Sequence, residues 1–198
     1  MMLSELTAVP PATLPLADFK DHLKLGKGFA DDAVQDALAE SYLRAAMAAI
    51  EGRVSKALLA REFLLELDAW RWPDAQALPL APASAVTSVT VRDRDGVAEV
   101  IDPARYRLVR DAQRPKIVAA GALLPGVPIG GSVEIVFTAG FGPAWADVPA
   151  DLAQAVFLLA AQYHEFRHEP GAGQTMPFGV MTLIERWRTV RVLGGGSA

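Results

Sequence analysis

Residues 132–168 constrain the fold more than any other part of the chain, because they join a strand pattern to a long apolar helix pattern. Residues 132–138 alternate between apolar and other side chains, and a period of two predicts a strand with one buried face. Gly140 and Gly142 end that strand together with Pro143. The apolar side of the predicted strand is formed by Val133, Ile135 and Phe137.

A helix is predicted over residues 149–168, with Asp151 in its electropositive first turn. Its buried stripe is formed by Leu152, Ala155, Val156, Leu159, Ala160 and Tyr163. A second apolar face, formed by Phe157, Leu158 and Phe166, is more than one small domain covers by itself. We therefore predict that these three residues lie at a subunit interface and that the protein is a homo-oligomer.

Two further helices and a β-region complete a predicted domain of residues 16–168. The helices are predicted at residues 16–25 and 31–54. The β-region spans residues 60–138, with short strands at 60–70, 85–92, 98–101, 106–110, 116–119 and 132–138. Residues 93–96 lack the later ligands of a calcium loop and predict a hairpin turn. The expected fold is α+β, with helices packed with a small, mainly antiparallel β-region.

The two ends of the chain differ from this domain in composition. Residues 1–15 carry three prolines and are predicted to form an extended arm that lies on a neighbour. Residues 169–178 are predicted to be a flexible link to a short basic amphipathic segment, residues 180–193. We predict that this segment docks on a partner, and packing on its own domain is the alternative. The docking residues would be Leu183, Ile184, Arg186, Trp187, Arg188, Val190 and Arg191.

The composition argues against several functional classes. The net charge is −4, so no overall basic field attracts nucleic acid. The chain contains no cysteine, which excludes disulfides, thiolate metal sites and cysteine nucleophiles. The first residues lack the pattern of a signal peptide, and no apolar run reaches the length of a membrane helix. We therefore expect a cytoplasmic protein.

One motif is typical of zinc chemistry. Residues 164–168 match H-E-x-x-H, which places two imidazoles one helical turn apart beside a glutamate base. A catalytic zinc needs a third ligand on rigid support, and no such residue lies nearby in the sequence. We therefore interpret the motif as a polar helix end and expect no bound metal. The alternatives are a zinc-dependent hydrolase that uses His164, Glu165 and His168, and a cytosolic module that binds a small ligand in the β-region.

Six stretches follow one another along the chain: KDHLKL, DDAVQDALAESYLRAAMAAIEGRVSKAL, REFLLELDAWRWP, LPLAPASAVTSVTVRDRDG, VEIVFTAGFG and VPADLAQAVFLLAAQYHEFR. Their order resembles the head-tail connector, or adaptor, proteins of long-tailed bacteriophages and gene transfer agents. Together they cover about residues 16–168. In that family an aromatic residue and a glutamate near the end of the last core helix are ordinary, and they correspond to Tyr163 and Glu165 here.

The resemblance implies a structural virion protein without catalytic residues or cofactors. Such a protein forms a ring of about twelve copies beneath the portal protein and extends the DNA channel. Its far face meets the next neck component, a stopper or a tail terminator, and DNA passes through without specific binding. The resemblance also implies assembly in the cytoplasm and a final position in the neck of the mature particle.

Overall fold

The computed structural model describes residues 1–23, 33–167 and 175–188. These residues form eight strands and four helices, which belong to two compact units. The first unit contains Met1–Leu14 and Lys56–Pro149 and holds every described strand. The second unit contains Pro15–Ser55 and the chain from Ala150 onward, and it holds the helices. The predicted α+β fold class is confirmed, and the residues assigned to one connector domain contribute to both units.

The first unit is built from two antiparallel sheets. The strands are β1 (Met2–Glu5), β2 (Arg61–Leu67), β3 (Ala75–Ala77), β4 (Ala83–Arg92), β5 (Ala98–Val100), β6 (Tyr106–Val109), β7 (Lys116–Ala119) and β8 (Ser132–Ala139). The five-stranded sheet has the order β1-β2-β8-β4-β5, and the three-stranded sheet has the order β3-β7-β6. Strands β1 and β3 have no counterpart among the predicted strands, since the sequence predicts an extended arm for residues 1–15 and no element for residues 75–77.

The N-terminal arm contains the edge strand β1. Residues Met2–Glu5 pair antiparallel with β2, and Glu5 forms an ion pair with Arg61 across 2.9 Å. Val9 and Leu14 are buried. Residues Met2–Glu5 therefore pair within their own chain, whereas Met2, Leu3 and Leu6 are exposed, and contact of the arm with a neighbouring copy stays a prediction.

The core of the first unit draws on both sheets. The alternation in β2 and β8 turns one face of each strand inward, and their aromatic rings Phe63 and Phe137 stack with centroids 5.8 Å apart. The three-stranded sheet adds Ile117 and Tyr106 to the same buried cluster. The other buried strand residues of the cluster are Leu65, Leu67, Ala83, Val89, Val91, Val133, Ile135 and Ala139. The apolar side predicted for residues 132–138 is therefore the buried side.

The helices of the second unit are α1 (Leu16–His22), α2 (Ala33–Val54), α3 (Ala150–Glu165) and α4 (Phe178–Ile184). The predicted stripe of α3 is buried from Leu152 to Ala160, and Tyr163 is partly buried. Helix α1 ends at His22, earlier than predicted, and the predicted start of the second helix at residue 31 lies outside the described residues. None of these four helices combines the length and hydropathy of a membrane span.

Candidate functional site

The H-E-x-x-H motif lies at the C-terminal end of α3. The His164 ring is partly buried and makes an edge-on contact with Tyr42, with centroids 5.9 Å apart. Burial, together with the neighbouring charge of Arg167, lowers the pKa of His164. Glu165 is exposed, and His168 lies outside the described residues. Within the described residues, no group of three histidine, aspartate or glutamate side chains is placed to hold a metal ion.

We predict that untagged protein purifies without stoichiometric zinc, because the described part of α3 provides no third ligand. Replacing His164 by alanine removes one ring contact at a helix end and should change the free energy of unfolding by about 1 kcal/mol or less. Elemental analysis and urea denaturation measure the two quantities. One zinc ion per chain, lost in the double variant His164→Ala with His168→Ala, would contradict the prediction.

The predicted docking segment packs on α3 of its own chain over the described residues, the arrangement that the sequence analysis named as the alternative. Val180 and Ile184 of α4 are buried. Trp187 donates its indole N–H to Asp151 across 2.7 Å, and Arg186 forms an ion pair with the same carboxylate, also at 2.7 Å. One aspartate in the first turn of α3 therefore holds the end of the segment.

The remaining predicted docking residues differ in exposure. Leu183 is partly buried, whereas Arg188 is exposed and forms an ion pair with Glu185. Val190 and Arg191 lie outside the described residues. Docking on a partner therefore stays a prediction, and within the described segment it concerns the side chains turned away from α3.

The predicted interface residues of α3 are partly covered within the second unit. The Phe157 ring lies 5.9 Å from Phe19 and 5.7 Å from His22, both in α1. Leu158 and Phe166 are partly buried. Helix α1 therefore covers part of the apolar face that suggested an interface, and a role for these residues between subunits stays a prediction.

Lys56 is a fully buried lysine that the sequence analysis did not single out. Its ammonium group donates to the carbonyl of Ala112 across 2.6 Å and to the side-chain oxygen of Gln113 across 2.7 Å. Burial lowers the pKa of Lys56, and the charge of Asp111 partly opposes this effect. No local pattern reveals such a residue, because its partners lie more than fifty residues away in the sequence. The lysine holds the turn between β6 and β7 in place.

This burial predicts a pH dependence of stability. The ordinary lysine pKa of 10.5 applies to the unfolded chain, and the folded chain has a lower value. Between the two values the unfolded chain binds more protons, so the free energy of unfolding rises with pH in that window. As the pH is raised from about 7 to about 10, we expect the unfolding free energy of wild type to increase relative to that of the Lys56→Met variant. Urea denaturation at several pH values measures it, and a constant difference would contradict the assignment.

The first unit has a surface cavity of about 420 Å³. If the protein bound a small ligand there, the cavity would need several polar groups that converge on the ligand. Its charged lining residues already have partners. Arg110 donates to the carbonyl of Ser84 across 2.9 Å. Asp111 accepts the N–H groups of Arg114 and Gln113, which lower its pKa. These groups support the loop, and they do not form a free binding site.

The class of protein follows from comparisons with known proteins. No protein-family model and no curated protein sequence matches the chain. The chain is similar to one from the neck of an empty gene transfer agent (GTA) particle, computed with C6 symmetry, at 62% identity and a TM-score of 0.89. It is also similar to chains from the virion of a native GTA particle, at 61% identity and 0.86, and from the neck of a native GTA particle computed with C12 symmetry, at 58% identity and 0.84. In each case the match covers 98% of this chain and 99% of the other.

An α+β chain that matches structural components of a particle over nearly its whole length belongs to the class of particle assembly proteins. The chain belongs to the head-tail connector, or adaptor, family of gene transfer agents, as its sequence resemblance implied. Its role is that of a structural neck adaptor. The zinc-hydrolase and small-ligand alternatives receive no support from these relatives.

Proposed function

We propose that this protein assembles into a ring of about twelve copies in the neck of a gene transfer agent particle, beneath the portal, and joins the head to the tail. The observation that carries the proposal is the 62% identity, over nearly the full length of both chains, to a chain from a GTA neck. Cyclic symmetry was used for the neck structures of two relatives, and a closed ring of identical copies accounts for it.

The proposed partners are the portal protein on one side and a stopper or tail terminator on the other, and no cofactor or catalysis is involved. The side chains of residues 178–188 that point away from α3 are proposed to contact the portal. The exposed Arg188 would orient that contact through acidic groups of the partner, whereas Arg186 is held by Asp151 of α3. DNA passes through the ring without specific binding, which suits a chain whose net charge is −4. Assembly is proposed to occur in the cytoplasm.

Deletion of the gene in cells that produce the particles tests the proposal. We expect DNA-filled heads without attached tails and a loss of gene transfer by several orders of magnitude, both restored by the wild-type gene on a plasmid. Electron microscopy of purified particles and a transfer assay measure the two effects. Tailed particles with normal transfer in the deletion strain would contradict a neck function.

A further inference from the structure

Two consecutive hairpins of the first unit carry opposite charge. The acidic hairpin, residues 93–102, contains four acidic residues and one arginine, a net charge of −3. The basic hairpin, residues 105–116, contains five basic residues and one aspartate, a net charge of +4. The whole chain has a net charge of only −4. Charge is thus separated along the chain, and each hairpin carries an excess of one sign.

The two turns of these hairpins lie at opposite ends of β4. The acidic hairpin follows Arg92, the last residue of β4, and its turn is closed by Asp93, which accepts the N–H groups of Asp95 and Val97. The turn of the basic hairpin lies at the other end, where Arg110 donates to the carbonyl of Ser84. A ten-residue strand at about 3.3 Å per residue separates the turns by roughly 25–30 Å. The two charges therefore lie on separate parts of the surface.

Several charged side chains of both hairpins are exposed. Arg107 and Lys116 share the outer face of the three-stranded sheet, since Arg107 lies opposite Val118 and Lys116 lies two residues before it on β7. Neither forms an ion pair among the described side chains. On the acidic hairpin, Asp95 and Glu99 are exposed. Asp95 forms an ion pair with the exposed Arg94 of the same turn, and Glu99 lies on the face of β5 opposite to Val100.

Exposed apolar residues lie in the acidic hairpin and near the basic hairpin. Val97 and Val100 of the acidic hairpin are 67% and 69% exposed. Near the basic hairpin, Trp72 and Leu123 are both 62% exposed. Backbone hydrogen bonds join these segments, from Leu124 N–H to the Pro73 carbonyl and from Ala120 N–H to the Arg105 carbonyl. Protein interfaces are enriched in aromatic residues and have a polar rim, and the exposed Trp72 and valines near these charges have that composition.

We propose that the acidic hairpin of one copy binds the basic hairpin of the next copy around the neck ring. The inference rests on the proposed function, because only a head-to-tail contact between identical chains needs two different, complementary surfaces on each copy. Val97 and Val100 would pack near Trp72 and Leu123 of the next copy, and the charges would set orientation and register. Sequential copies then close a ring as the cyclic symmetry requires.

Paired charge reversals test this contact in cells that produce particles and lack the wild-type gene. One variant carries Arg107→Glu and Lys116→Glu, and the other carries Asp95→Lys and Glu99→Lys. The first variant changes the net charge of the basic hairpin from +4 to 0, and the second changes that of the acidic hairpin from −3 to +1. Each removes the attraction between the hairpins and places like charges at the substituted positions, so we expect each alone to lower gene transfer and the amount of the protein in purified particles by about tenfold or more. Asp93, Asp102 and Arg110 are left unchanged, because they hold backbone groups in place.

The decisive measurement is production of both variants together. In a mixture the reversed basic hairpin of one variant faces the reversed acidic hairpin of the other, so an alternating ring forms, and transfer should return to within about threefold of wild type. Restoration also shows that both variants fold. All four reversals in one chain should restore assembly as well. Arg53→Glu, at an exposed position of α2, is the control for each variant produced alone and should have little effect on gene transfer.

Other outcomes overturn the inference. If each variant assembles like wild type while the gene deletion abolishes transfer, the neck function stands and this contact is wrong. If the basic-hairpin variant enters particles normally but releases their DNA, and the mixture does not restore retention, the basic hairpin binds DNA phosphates and does not bind a neighbouring copy. Normal transfer after deletion of the gene overturns the proposed function itself.

Discussion

Ending the chain after residue 174 should lower the free energy of unfolding by about 3–6 kcal/mol, because it exposes the apolar surface that α4 covers. Val180 and Ile184 are buried in the second unit, and burial of each such side chain contributes about 1.5–3 kcal/mol. Loss of Trp187 and Arg186 also leaves the Asp151 carboxylate without two of its partners. Thermal and urea denaturation of the purified chains measure the effect.

Two substitutions in α4 separate packing from docking. Ile184→Ala should cost about 2–4 kcal/mol, since it leaves a cavity in a buried position. Phe178→Ala, on the same helix, changes a residue that is 85% exposed and should alter stability by about 0.5 kcal/mol or less. A truncated chain with an unchanged melting temperature that no longer joins heads to tails would instead support a segment that acts only by docking on a partner.

Gly140→Ala should destabilise the first unit by about 3 kcal/mol or more. Gly140 has a φ of +138°, which side-chain-bearing residues rarely adopt. A Cβ there would lie 2.4 Å from both the nitrogen and the Cα of Ala60, and backbone atoms cannot move aside as a flexible side chain can. The close approach follows from the pairing of β2 with β8, which joins Arg61 to Ala139.

Gly126→Ala is the matched control for this glycine. It lies in an exposed loop, has no positive φ and has no neighbouring atom within 4 Å of an added Cβ. We expect its stability to match wild type or to rise slightly, because alanine restricts the unfolded chain. Equal melting temperatures for the two variants would show that the approach of residue 140 to Ala60 is not a constraint.

The functional surfaces could be predicted from the sequence less well than the fold. The basic amphipathic pattern of residues 180–193 predicted an apolar face on the C-terminal segment, and Ile184 does lie on such a face. The same pattern fits a helix that docks on a partner and a helix that packs on its own domain. Asp151, which binds the indole of Trp187 from 36 residues away, decides where the described segment lies, and no local signal connects the two residues.

Periodicity and turn chemistry therefore determined six of the eight described strands, the helices α1, α2 and α3, the α+β class and the order of stretches that relates the chain to GTA adaptors. Each of these depends on interactions within a few residues, such as the alternation in 132–138 and the glycines that follow. Only the tertiary structure decided that the chain divides into two units, that Lys56 is buried and that β1 pairs with β2. These features depend on contacts between distant segments, because a local pattern shows which face of an element is apolar but not which surface covers it.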